Sequence, residues 1–361
     1  MSGAEECAYG VERHIPHPSL IAVRREGKSH TLESVVRGDE RSERLGVEVL
    51  GGLDLYGDDF RSALHKEIDF NHRIGGAEVE DLRGICGEHF FEDIVAYGGW
   101  TLDDHHPDAF WKHGYLSQHH RCPSPFGIPF DCLYSVNVPN LMFAGRDISV
   151  THMALSATRV MATCAMIGQA VGTAASVAFL HGGIMPAEVR ARHIAELQAD
   201  LEDDDCMLPF RWRKVNSLTR SAKTAAENEP LRSGIDRWTS KKSENGTWVE
   251  PGAETIVYEW DSPQRISGAR IVFDSVMKGT TKRMMKLEAE ETRVKMPAPL
   301  AKVFRVDARV GGEWKTVYED GLNILRLRKV AFDPVDADAL RLVVTEAWGG
   351  GRAHVFAFDA R

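Results

Sequence analysis

The chain has 361 residues, 43% of them hydrophobic and 27% charged, with a net charge of −9 and a pI of about 5.9. That length accommodates two domains, each with a core of its own. The acidic balance argues against a protein that lives on phosphate contacts with nucleic acid, and six scattered cysteines without a CxxC pair leave a disulfide framework or zinc ribbon unsupported and fit a reducing cytoplasm.

The N-terminal MSGAEECAYG is acidic and lacks the apolar segment of a signal peptide. The first hundred residues are the least regular. Residues 56–92 are charged and punctuated by Gly75, Gly76, Gly84 and Gly87, and are read as a helix-containing insertion on the active-site side. Residues 96–100 are a compact aromatic-glycine strand end. His105, His106, His113, His119, His120 and Cys122 follow, but adjacent histidines point apart on a strand or helix, and no metal is expected there. Tyr97, Trp100 and Tyr134 either stack on a ring-shaped or sugar-like substrate or belong to the core.

Residues 141–144 (LMFA) are an apolar run of buried-strand length. Gly145 breaks it, Arg146 and Asp147 put opposite charges on the turn, and a polar loop is expected over 149–156. Residues 159–180 read as a helix rich in Ala, Gly, Thr and Met. Gly168, Gly172 and Ala175 recur at helical spacing and flatten one face. An interior glycine costs a helix about 1 kcal/mol, so two predict close packing by another segment or a flat ring. The run from 160 to 180 approaches the length of a membrane span, but Thr163, Gln169, Thr173 and Ser176 predict a buried helix instead. A strand, a glycine turn and a helix whose N-terminus carries Arg159 suit something flat and anionic.

The sequence NLMFAGRDISVTHMALSATRVMATCAMIGQAVGTAA, residues 140–175, resembles the C-terminal flavin-contacting motif of FAD-dependent oxidoreductases of the glutathione-reductase-like, two-dinucleotide-domain kind. AYGGWTLDDHHP (96–107) and FGIPFDCLYSVNVPNL (126–141) resemble the same branch, and the likeness extends with gaps over about residues 9–210. It implies FAD as cofactor and an α/β, partial FAD/NAD(P)-binding-like domain. A reduced flavin is anionic at N1 and the C2 carbonyl, and a helix N-terminus offers donors and partial positive charge. The backbone of Val160, Met161 and Ala162 is therefore expected to face that edge. Arg159 either adds a full charge or pairs with Asp147 or Asp131 as a structural bridge. Gly145, Arg146 and Asp147 are the remaining expected cofactor contacts, Arg146 on the phosphate side and Asp147 as a ribityl acceptor, unless the turn is simply solvated. His152 is the expected acid/base, its titration range suiting proton transfer, the alternative being a hydrogen-bonded core histidine.

One departure from the family pattern is large. No GxGxxG occurs anywhere in the 361 residues, so the backbone cradle for the pyrophosphate is missing, as is the acidic residue that follows it. The expected explanations are the C-terminal part of a larger enzyme, one subunit of a split one whose second chain carries the nucleotide-binding half, or a truncated homologue.

Further along, residues 187–201 form an amphipathic helix with Val189, Ile194, Leu197 and Leu201 on one face, ended by the acidic run 202–205. Residues 217–243 are polar and suggest a linker. Beyond them the period changes to two: 255–260, 266–273, 303–310, 314–318, 339–344 and 354–358 read as strands. FRVDARVGGEWKTVYE (304–319) and LRLVVTEAW (340–348) resemble the hairpin and strand of a galactose-binding-like, discoidin-type jelly roll. The expected organisation is an oxidoreductase region over 1–215, a linker over 216–245 and an all-β sandwich over 246–361. Two functions compete. The first is an FAD-dependent oxidoreductase, or part of one, moving hydride from a small hydroxylated, sugar-like substrate to flavin. The second is a non-catalytic, flavoprotein-derived binding or assembly module.

Overall fold

A computed structural model describes residues 20–22, 91–105, 117–120, 125–150, 152–239, 243–253, 255–275 and 296–361. The chain divides into two units, Met1–Arg211 and Trp212–Arg361.

The first unit is α/β. Its strands make three antiparallel pairs: β1 (Leu20–Ala22) with β6 (Leu141–Phe143), β2 (Ile94–Gly98) with β5 (Phe126–Pro129), and β3 (Leu102–His105) with β4 (Ser117–His120). A 3-10 turn, Phe130–Leu133, joins β5 to the approach to β6. Helix α1 (His152–Thr158) begins inside the stretch expected to be a polar loop, and α2 (Met161–Leu180) starts two residues later than its composition suggests. The break between them is Val160, held extended at φ −70, ψ 143. One face of α2, with Thr163, Ile167, Ala170, Val171, Ala174, Val177 and Ala178, is buried at helical spacing. It packs among Val95, Ala96, Phe130, Leu133 and Met142. Each large aliphatic side chain taken from water there stabilises the unit by about 1.5–3 kcal/mol.

The other face of α2 departs from expectation. Gly172 is exposed, and a Cβ placed on Gly168 or Gly172 meets nothing within 4 Å among the described residues. Among the described residues the small side chains leave this face open. This is also the one helix among the described residues that is long and apolar enough to cross a membrane, although its inward face is core.

At its C-terminus α2 is closed by Gly182 and Gly183, at φ 84 and φ 75, in the left-handed region that only glycine enters freely. The Gly183 and Ile184 N–H groups both donate to the Ala178 carbonyl, at 2.8 and 3.1 Å. Pro186–Glu188 then starts a helical turn that passes through a π-helical segment, Val189–His193, into α3 (Ile194–Asp203). Val189, Leu197 and Leu201 are fully buried and Ile194 packs beside them, the face read from the sequence.

The second unit is an all-β antiparallel sandwich. Its strands are β7 (Thr247–Val249), β8 (Thr255–Phe273), β9 (Ala301–Val310), β10 (Glu313–Asp320), β11 (Leu327–Ala347) and β12 (Ala353–Ala360), in the ladder order β10-β9-β11-β8-β12-β7. The segments expected as separate strands over 255–260 and 266–273 are one continuous strand, whose pairing with β11 shifts register between Ala331 and Val335 and again between Ala337 and Ala339. Such bulges let a long strand bend. Residues 216–245, read as a linker on their polarity, carry α4 (Ser217–Ser221), capped by Asn216 accepting from the Thr219 N–H at 2.8 Å, and a 3-10 helix, Ala226–Arg232. Ala222 and Leu231 from this stretch are buried among the strands.

Under the sheet lies a four-membered ion network. Arg270 is fully buried, and it shares Asp236 and Asp359 with Arg213. Burial raises both carboxyls. At Asp236 the bonds and charges of Arg213 and Arg270 outweigh it and hold the group below its usual range, whereas at Asp359 burial wins.

Candidate functional site

Strand β6 is fully buried and ends at Gly145, whose φ of 77 turns the chain sharply. Past the turn Ile148 is buried and the Ser149 N–H donates to the Cys132 carbonyl at 2.9 Å, which fixes where the turn points. Arg146 is exposed and Asp147 half-buried. Both act on Cys164, in the first turn of α2: burial pushes that thiol up, the Arg146 cation pulls it down and the Asp147 carboxylate pushes it up again. The expected cofactor residues of the turn and of the helix start are therefore neighbours.

The N-terminus of α2 carries no side-chain cap at Val160. The N–H groups of Met161, Ala162 and Thr163 have no intrahelical acceptor, whereas Cys164 already donates to the Val160 carbonyl at 2.9 Å. Met161 is 86% exposed and Ala162 is exposed as well, so among the described residues no side chain plugs the positive pole. This end can accept an anionic edge without rearrangement.

Arg159 lies in the break between α1 and α2. Its guanidinium donates to the backbone carbonyl of Asp103 at 2.5 Å, which ties the helix junction to β3. Asp131 accepts from the Tyr134 hydroxyl at 2.9 Å and meets Arg190 at 3.3 Å. His152 opens α1, and its side chain lies outside the described residues.

Of the histidine-rich stretch, His105 and His119 each bring Nε2 to Asp103, at 3.2 and 3.4 Å, and both are more than half exposed. His106, His113 and Cys122 lie outside the described residues, as does the side chain of His120. Trp100 is 52% exposed beside them and Tyr97 is half-buried. Tyr134 is on the core side, 5.3 Å from the Phe130 ring and bonded to Asp131.

Sequence reasoning missed the cluster that anchors this floor. Asp93 is buried beside Asp131, its carboxylate accepting the Asp131 N–H at 3.0 Å and meeting Arg190 at 3.1 Å. Burial, then the Asp131 charge, raises the Asp93 carboxyl, and burial with the same two acids pushes the Cys132 thiol well up. The carboxylates and the arginine stand 38 to 97 residues apart in the sequence, so no local pattern joins them.

Residues 72–201 match the family model described as FAD dependent oxidoreductase. The likeness read from residues 140–175 falls inside that span, and so does each expected site residue. No curated protein matches the chain. Among solved structures, chitosan-binding module 1 of a chitosanase/glucanase from Paenibacillus sp. IK-5 is similar at 14% identity and a TM-score of 0.27, covering 40% of this chain and 96% of the module. The family 32 carbohydrate-binding module of Streptococcus pneumoniae EndoD is similar at 15% identity and a TM-score of 0.25, covering 40% and 97%. Chitosan-binding module 2 of the same Paenibacillus enzyme is similar at 15% identity and a TM-score of 0.27, covering 40% of this chain and 98% of the module.

Proposed function

We propose that the first unit is the C-terminal part of an FAD-dependent oxidoreductase that acts on a small hydroxylated, carbohydrate-like substrate. The family match over residues 72–201 carries this reading. Bound FAD supplies the hydride acceptor. The residues present fit its ring end: an uncapped helix pole at Val160, Met161 and Ala162 with a charged turn, Gly145 to Asp147, beside it. In this reading the N–H groups of Val160, Met161 and Ala162 would hold the pyrimidine edge, Arg146 and Asp147 would orient the ribityl and phosphate side, and Arg159 positions the helix pole through its bond to β3. His152 takes the proton of the substrate hydroxyl.

The residues do not fit the adenosine end. Without a GxGxxG anywhere in the sequence, no glycine cradle approaches the pyrophosphate. In this reading that half comes from elsewhere, from further residues of a larger enzyme or from a second chain, and the scattered cysteines place the protein in the cytoplasm. The carbohydrate class rests on the galactose-binding-like pattern of residues 304–319 and 340–348 alone.

The test is a visible difference spectrum of the chain with FAD and, separately, with riboflavin. If the site holds only the ring, both perturb the flavin band and the adenosine half adds little. A flat spectrum with both overturns the reading. It would favour instead a non-catalytic binding or assembly module, a role that the exposed Met161, Phe179 and Leu180 on α2 already suit.

A further inference from the structure

We propose that His181, His193 and Glu196 form a binding site for a late first-row divalent cation of the Zn2+ type, at the junction of α2 and α3. The inference is independent of the flavin reading and uses none of its residues.

The three side chains converge. His181 Nε2 lies 2.8 and 3.1 Å from the two Glu196 carboxylate oxygens, and His193 Nδ1 lies 3.1 Å from one of them. All the ligating atoms fall within 4.8 Å of one another. Tetrahedral zinc holds N and O ligands at about 2.0–2.2 Å, which spaces any two of them about 3.3 Å apart. Seating an ion needs shifts of tenths of an ångström in the two contacts with the carboxylate, while the two imidazole nitrogens, within 4.8 Å of each other, draw together by side-chain rotation.

The backbone explains why they meet. Gly182 and Gly183 end α2 so abruptly that His181 stays over the start of the next helix. The π-helical segment Val189–His193 ends on His193 at φ −125, ψ 11, out of register with the helix it leads into. A π insertion of this kind recurs at functional sites. Glu196, three residues on, lies on the same side of the first turn of α3. Beneath the cluster Val177, Ala178, Val189, Leu197 and Leu201 are fully buried, so the two helices hold it rigidly. The imidazole rings overlap face on face, centroids 3.8 Å apart and tilted by 32°, and each brings a nitrogen to the carboxylate.

Two imidazoles and one carboxylate suit zinc and its neighbours, whereas magnesium and calcium prefer oxygen-only shells. The negative end of the α2 dipole adds attraction for a cation at His181. All three side chains remain part-exposed, at 36%, 23% and 41%, which leaves room for water to complete the coordination and an open path for the ion. The competing description is a hydrogen-bonded His–Glu–His cluster that binds nothing.

The experiment uses the full chain, stripped by chelator and titrated with Zn2+ by calorimetry, with Mg2+ and Co2+ in parallel. The proposal expects one Zn2+ per chain dependent on these residues, intense visible Co2+ bands of tetrahedral type, and no comparable Mg2+ uptake. Glu196→Gln, which keeps the shape, and His193→Ala should each weaken that equivalent by more than about tenfold, while His119→Ala leaves it unchanged. Far-UV circular dichroism establishes that each variant is folded. Absence of Zn2+ uptake, equal uptake of Mg2+, or folded Glu196→Gln and His193→Ala variants that bind like the parent would overturn the site.

Discussion

Replacing Asp236 by alanine should destabilise the second unit more than any exposed charge change in it. Arg270 is fully buried and Arg213 is 8% exposed, and Asp236 accepts from both, at 2.8 Å each. Asp359 also meets both guanidiniums, at 2.9 Å from Arg213 but only 3.6 Å from Arg270. Removing one partner from a buried pair costs about 3–5 kcal/mol, because a charge is left desolvated and uncompensated. An exposed pair such as Arg265–Asp336 contributes about 0–1 kcal/mol at most. For a unit of about 150 residues each kcal/mol moves the melting temperature by about 2–4 °C, so the expected fall is on the order of 6–20 °C. Differential scanning calorimetry of the full chain reads it, with Asp336→Ala as the exposed control. Equal shifts for the two variants would refute the reasoning. A companion variant joining Asp236→Leu with Arg270→Met should recover part of the loss, since no unpaired charge then remains on that side.

Other predictions follow from single groups. Burial alone would raise Asp307, but the bonds from Arg341, Thr316 and Arg305 hold it below the ordinary 3.8. Its contribution is therefore fully present above pH 3.8 and is lost as pH falls through the lower folded value. Asp307→Asn should cost about 1.5–3 kcal/mol at neutral pH, a gap that urea titrations will find closing below pH 3.8; a gap constant with pH sinks the assignment. Gly145→Val places a branched side chain at φ 77 and should cost about 1–2 kcal/mol or more, read as a lower urea midpoint; an unmoved midpoint means that the turn is relaxed. Alkylation at pH 8 followed by peptide mapping should label the half-exposed Cys164 well before the buried Cys132, whose thiol is pushed far up. Equal labelling would mean that the first unit opens freely.

Several features were legible because their cause is local. The apolar run ended by Gly145, the helix over the following small residues, the buried stripe Val189, Leu197 and Leu201, and the alternating strands of the second unit all follow from side-chain period and turn chemistry. Helix α1, His152–Thr158, was not legible, since its residues read as a polar loop; the bond from Arg159 to β3, 56 residues away, ties its end in place.

Charges and small residues were decided by the tertiary structure for the same reason. Arg190 and Arg270 are held by carboxylates that only folding brings near, Asp93 and Asp131 for the first and Asp236 and Asp359 for the second. Gly168 and Gly172 promised a close neighbour that the described residues do not supply. Periodicity determines which way a side chain faces, because that depends on the backbone within a few residues. What a buried charge or a bare helix face meets depends on chain closure over tens of residues, and that free energy is written only in three dimensions.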